Sequence, residues 1–420
     1  MPRLLAAACV LLLSACQHTE PEDPSHGIPA AHARNVILFV GRGMDPTIIA
    51  AARIEKGQSN RTLGEDNRLS FEDFPTSALT NTRDTDLQTD NSAERRSAIL
   101  TGTVPTDNSA GTTDNSAAAM SAIMTGTTTR GASMGMDAIP KRGQCSEARG
   151  HELPTLLEQA KAAGLAVGLV STSRVTHPMP AATYAHVTDA EWEVDATMSE
   201  LAKAQGCHDI AYQLVDFHHG SGLDVVFGGG RMAFMTGDQP DPVDAWKRGV
   251  RRNDRLIETW QKGRPDGRLV YTRDDMEKAI GDVSLRGPIL GLFAPDHMNF
   301  ESNRISDAIG QPSLTEMTRA AIATLSREQR GYVLVIVAGG IERARLDQDK
   351  SNLAVAETVE LSNAVRAAMQ TTRAEDTLIV VTSAGGDLPI YARGPGSQLL
   401  HRAIELTGLH AIMTAALGLR

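Results

Sequence analysis

Three local groupings carry residue types that chemistry uses. Ser116 offers a hydroxyl inside Thr113-Asp-Asn-Ser-Ala117, His218-His219 sets two imidazoles side by side, and Gly228-Gly229-Gly230 has the freedom of a phosphate-cradling loop. Each also has a plainer role. A serine in Asp-Asn-Ser-Ala reads as a helix N-cap. With neither a base nor a metal beside it, a serine is a weak nucleophile at neutral pH. The histidine pair has no supporting carboxylate nearby and reads as a solvated loop. The glycine triplet lacks the Lys-Ser/Thr that completes a P-loop.

The elements that must position any such chemistry alternate. Short apolar runs of strand type fall at Val36–Val40, Leu165–Val170, Asp224–Phe227, Ile289–Phe293, Tyr332–Val337 and Thr377–Val381. Between and after them, apolar residues recur at helical spacing at Leu153, Leu156, Leu157, Ala160, at Leu361, Ala364, Val365, Ala368, and at Ile412, Ala415, Ala416, Leu419. That alternation predicts an α/β fold with a mostly parallel sheet covered on both faces. In such sheets the chemistry sits at the carboxyl ends of strands, in the loops after residues 40, 172, 337 and 382.

One internal repeat stands out. Thr89-Asp-Asn-Ser-Ala93 recurs as Thr113-Asp-Asn-Ser-Ala117, and Ser97–Gly102 matches Ser121–Gly126. Two copies are too few for a solenoid, so residues 88–112 read as a duplicated loop insert.

The 420 residues, 41% hydrophobic and 22% charged, make an ordinary globular composition with mean hydropathy −0.21. A net charge of −10 with no basic run excludes a nucleic-acid partner. The N-terminus reads as an export signal: Arg3, an apolar run from Leu4 to Leu13, then Leu13-Ser-Ala-Cys16, which looks like a bacterial lipobox. The expected organisation is a signal peptide over 1–15, an acylated Cys16 with a polar tether over 16–34, and one domain over 35–420. Lipidated Cys16 would be the membrane contact of a periplasmic or outer-membrane lipoprotein. Cys145 and Cys207 then remain, an even pair that in an oxidising compartment forms a disulfide or else stays as two buried thiols.

Longer stretches carry a resemblance. Asn35–Met44 (NVILFVGRGM), Asp66–Leu87, Ser116–Gly126, Val175–His186 (VTHPMPAATYAH), Val337-Ala-Gly-Gly340 and Thr377–Thr382 resemble the alkaline phosphatases, in order and at similar spacing from residue 34 to the end. The resemblance implies phosphate-monoester hydrolysis with two zinc ions and a magnesium, a serine that attacks phosphorus, and an arginine that holds the phosphate oxygens. It also implies a homodimer and, as in animal-type members, a Cys145–Cys207 disulfide.

Position by position, the ligand set is depleted. Ser116 keeps the nucleophile's spacing. Arg42 stands where a bridging aspartate is implied, and a guanidinium has no lone pair to donate. His177 falls at a position used near magnesium, and Met179 replaces the hydroxyl two residues on. Ala190 replaces the phosphate-clamping arginine. Ala338 replaces a glutamate, with Arg343 and Asp347 where an aspartate and a histidine are implied. Ala384 and Gly385 replace an Asp-His pair. Ser116 is then a vestigial nucleophile, and His177 and Asp347 are weak remnants of metal sites. Asp347 is expected to ion-pair with Arg343.

These replacements point to a catalytically dead or severely impaired pseudoenzyme with no metal cofactor. Arg42 and Arg343, if not consumed by Asp387 or Asp347, would let the cleft hold phosphate or another anion. The alternatives are an active hydrolase using Ser116 with a rearranged zinc and magnesium site, and a decaying gene product that folds poorly.

Overall fold

A computed structural model describes residues 32–62, 64–80, 111–217, 219–304, 306, 310–347, 351–384, 388–400 and 404–419. The lipobox, the tether up to residue 31 and most of the 88–112 repeat lie outside them. Residues 31–420 form one compact unit.

Nine strands make one sheet: β1 (Asn35–Val40), β2 (Thr76–Leu79), β3 (Ala166–Arg174), β4 (Val225–Gly229), β5 (Arg268–Val270), β6 (Ile289–Ala294), β7 (Tyr332–Val337), β8 (Thr377–Thr382) and β9 (Pro389–Arg393). Their order is β2-β9-β8-β1-β7-β3-β4-β6-β5. From β8 to β5 every pairing is parallel, and β9 runs antiparallel to both β8 and β2. The α/β expectation therefore holds. The edge strands β2 and β5, and β9 next to β2, are not legible in the sequence, because each is short and of mixed polarity.

The longer helices are α1 (Pro46–Asn60), α2 (Gly111–Thr125), α3 (Leu156–Ala162), α4 (Leu256–Gly263), α5 (Arg273–Gly281), α6 (Leu314–Leu325), α7 (Gly339–Leu346), α8 (Ser351–Thr371) and α9 (Leu406–Leu417). Local chemistry starts several of them. Asp45 accepts from the amides of Thr47 and Ile48 to cap α1, while Thr155 with Glu158 and Ser313 with Glu316 form capping boxes.

Period-two alternation sorts the strands between two cores. Val36, Leu38 and Val40 of β1 face α2, α3, α4 and α9. Ile37 and Phe39 face α1, α5, α6, α7 and α8. All six residues of β1, β6, β7 and β8 are buried, so these strands read as continuous apolar runs.

A Cys145–Cys207 disulfide ties the segment before α3 to the one after β3 across 62 residues. Closing a loop of that length removes much unfolded-chain entropy. The Cys145→Ser/Cys207→Ser double variant is expected to lose about 2–5 kcal/mol in urea unfolding, with no change in far-UV circular dichroism.

Candidate functional site

The parallel register lines up the strand ends. Val40 pairs with Val337 on one side and Thr382 on the other, and Val337 pairs with Ser171. The Gly41 amide donates to the Thr382 carbonyl (2.9 Å) and the Ala338 amide to the Val40 carbonyl (2.8 Å). Arg42, Ala338, Ala384 and the Thr172–Arg174 end of β3 therefore share one edge of the sheet. Beyond β4, the end of β6 adds Asp296-His297-Met298.

Arginines dominate this edge. Arg42 Nε lies 3.3 Å from Glu342 Oε1, in the first turn of α7, and its Nη1 is buried without a hydrogen-bond partner. Burial raises the Glu342 carboxyl's pKa, only partly opposed by Arg42. Arg343 Nη2 donates to the Met298 carbonyl (3.0 Å), its guanidinium lies 4.4 Å from the centre of the Phe300 ring, and its Nε is also buried without a partner. Burial lowers the Arg343 pKa, and Glu357 and Asp296 only partly offset this. Arg42 is thus paired with an acid that the sequence reading did not name, while Arg343 is turned toward Met298 and Phe300. Asp387 lies outside the described residues.

A third arginine, absent from the sequence reading, organises the rest. Arg174 grips Glu193 with two bonds (Nε 2.9 Å, Nη2 2.7 Å), and its Nη1 reaches Asp296 (2.7 Å) and His297 Nε2 (2.8 Å). Burial alone would lower its pKa, but Glu193 and Asp296 hold it above the ordinary range. Glu193 also accepts from the Thr176 hydroxyl (2.7 Å). His177 and His297 meet edge to face at 5.4 Å. Burial pulls His177 down to about 4, and Arg174, Arg343 and Arg42 each push in the same direction, with Glu193 opposing. His297 falls to about 2, from burial first and then Arg174, Arg343 and His177. Both imidazoles are neutral at pH 7. The signal for these residues was available: Arg174 directly precedes Val175-Thr-His177, and His297 follows a buried strand whose end was not searched.

The remaining sequence-predicted positions have varied surroundings. Ser116 is fully buried, and α2 begins at Gly111, so the serine sits inside the helix rather than at its N-cap. Met179 and Ala190 are buried in the apolar core. Asp347 follows α7 in extended backbone. Gly385 lies outside the described residues. Ala384 holds φ +49°, a left-handed conformation costly for alanine. His219, expected in a solvated loop without a carboxylate, lies 3.6 Å from Glu158, which also binds His186 (2.8 Å). His218 is not described.

The zinc and magnesium that the resemblance implies need carboxylates and imidazoles at these strand ends. The residues present do not fit them. Arg42, Ala338 and Ala384 offer no donor, Arg343 adds positive charge, and the three guanidiniums that disfavour a proton on His177 oppose a divalent cation equally. Among the described residues, no group of three or more His, Cys, Asp or Glu side chains could hold a metal ion.

Glu357 of α8 lies under this edge. It accepts from the Glu301 amide (2.6 Å), and a Cβ on Gly340 would collide with its carboxylate. Burial pushes its pKa up to about 7, from an ordinary 4.5, despite the Glu301 amide and Arg343. The folded chain then keeps a proton that the unfolded chain has lost, so this group erodes stability as pH rises from 4.5 to 7. Urea unfolding at pH 5 and pH 8 should show the wild type losing roughly 3 kcal/mol more than Glu357→Gln over that interval.

With this geometry in view, the comparisons with known proteins are informative. The family model for alkaline phosphatase matches residues 33–384. The human tissue-nonspecific alkaline phosphatase isozyme is 35% identical over 358 residues, covering 84% of this chain and 62% of that protein. The chicken tissue-nonspecific isozyme is 35% identical over 356 residues, covering 84% and 63%. The chain thus spans just under two thirds of the length of these relatives. Among solved structures, the alkaline phosphatase of the Antarctic bacterium TAB5 superposes with TM-score 0.63 at 16% identity, covering 93% of this chain and 99% of that one. The Thermus thermophilus alkaline phosphatase superposes with TM-score 0.57 at 23% identity, covering 85% and 60%. The chain belongs to the alkaline phosphatase family.

Proposed function

We propose that this chain is a non-catalytic member of its family, exported as a lipoprotein anchored through Cys16, and acting by binding an anion rather than by hydrolysing a phosphate ester. The observation that carries this reading is the Arg42–Glu342 ion pair at the end of β1. It puts a guanidinium where the resemblance implies a metal-bridging carboxylate, beside strand ends occupied by Ala338 and Ala384. Without a metal to activate it, the buried Ser116 hydroxyl is a weak nucleophile at neutral pH.

Anion binding draws on Arg42 Nη1 and Arg343 Nε, each a buried donor without a partner. Leaving such a donor unmet costs about 1–3 kcal/mol, and an oxyanion that reached it would recover that cost. The nearby carboxylates of Glu193 and Asp296 are already committed to Arg174. Periplasmic or outer-membrane placement follows from the lipobox, and homodimerisation from the family resemblance.

The test uses one preparation of residues 17–420 made in an oxidising compartment, loaded with zinc and magnesium and dialysed. Metal per chain is counted, a phosphate monoester is assayed against Ser116→Ala, and inorganic phosphate is titrated by calorimetry. The expected result is substoichiometric metal, turnover no greater than that of Ser116→Ala, and phosphate binding that Arg42→Gln weakens. Stoichiometric zinc with turnover that Ser116→Ala abolishes would establish the alternative, a hydrolase with a rearranged metal site.

A further inference from the structure

A loop remote in sequence from the strand-end cleft presents Trp246 to solvent at 94% exposure. A lone exposed apolar side chain is ordinary; this one sits on a loop that is held in place and has a particular composition. Arg231 and Asp241, both fully buried, join through two bonds of 2.7 Å at the loop's base. Asp241 Oδ1 also accepts from the amides of Val243 and Asp244 (2.9 Å each). The Asp241 amide donates to the Lys247 carbonyl and the Lys247 amide to the Asp244 carbonyl (both 2.9 Å). The Trp246 amide donates to Asp244 Oδ1 (3.2 Å). The indole is therefore carried by a closed, fixed turn.

Around it, Pro242, Ala245 and Val250 are exposed apolar neighbours, and Lys247 and Arg248 are exposed cations. Of the loop's acids, Asp241 is paired with Arg231, Asp244 is half-buried, and the exposed Asp238 is paired with Arg255 (2.6 Å). In a chain of net charge −10, Lys247 and Arg248 beside the indole form a small cationic patch that complements an anionic surface. Indoles partition to the membrane–water interface, and long cationic side chains beside them reach the headgroup phosphates. Because the turn is already ordered, little conformational entropy is lost on contact.

We propose that the Pro242–Arg248 tip is a membrane-surface anchor. Trp246 enters the headgroup layer of an anionic phospholipid membrane, and Lys247 and Arg248 meet the phosphate charge. The inference needs neither acylation of Cys16 nor the loss of catalysis. The test takes residues 17–420, which retain the whole compact unit, with vesicles rich in phosphatidylglycerol and vesicles of phosphatidylcholine alone. The other two tryptophans, Trp192 and Trp260, are buried, so a lipid-dependent blue shift in emission reports Trp246.

The expected result is co-sedimentation and a blue shift with the anionic vesicles only, reversed by salt. Trp246→Ala should abolish the shift and reduce partitioning, and Lys247→Gln/Arg248→Gln should weaken partitioning about thirtyfold at low salt. Absence of partitioning, or partitioning unchanged in Trp246→Ala, overturns the proposal. So does a blue shift that grows with protein concentration in the absence of lipid, which would assign the tip to contact with a second copy of the chain.

Discussion

The pairing of β1 between β7 and β8 is the constraint on which the rest depends. One run of six buried residues is held by parallel ladders on both sides, and its alternate side chains feed two separate cores. A one-residue slip would exchange those cores, so the register is strongly specified. The same register brings the ends of β1, β3, β7 and β8 side by side. This shared edge is a geometric consequence of how the hydrophobic interior is paired.

Charges of both signs gather at that edge. Arg42, Arg174 and Arg343 stand near Glu342, Glu193, Asp296 and Glu357, so positive and negative groups interleave in one region that is largely buried, with Asp296 at its exposed margin. Guanidiniums are fixed charges that bring their own hydrogen-bond donors, whereas a carboxylate cluster needs an external cation to be stable when buried. Arg174 meets this demand most completely, with three acceptor groups on one guanidinium. Arg42 and Arg343 meet it incompletely, each keeping a buried N–H without a partner.

Much of this was legible because buried parallel strands are written as unbroken apolar runs. Tyr332–Val337 coincides with its predicted bounds, and the other five runs differ only at their ends. The strands β2, β5 and β9 carry alternating or mixed burial over a few residues, too little pattern to separate from loop. For the site, the positions of Arg42 and Ala338 could be read in the sequence, because strand ends are fixed by the strands. Their partners could not. Glu342 and Glu193 meet their arginines through tertiary packing that no local spacing encodes, whereas His297 follows the legible run of β6; Ser116 lies inside a helix that starts five residues earlier, at Gly111.

Ala384 shows how a strand end fixes backbone conformation independently of the side chain it carries. Its amide contacts the Thr382 hydroxyl at 3.3 Å, and its φ of +49° puts an alanine in the left-handed region. Aspartate and asparagine enter that region more readily, because a short polar side chain can bond the local backbone. The resemblance implies an aspartate at this position. The left-handed turn sits at the end of β8, and the residue that the resemblance implies there would suit it better than alanine. At Arg42 and Ala338, as at Ala384, strand register dictates the backbone path whatever side chain the position carries.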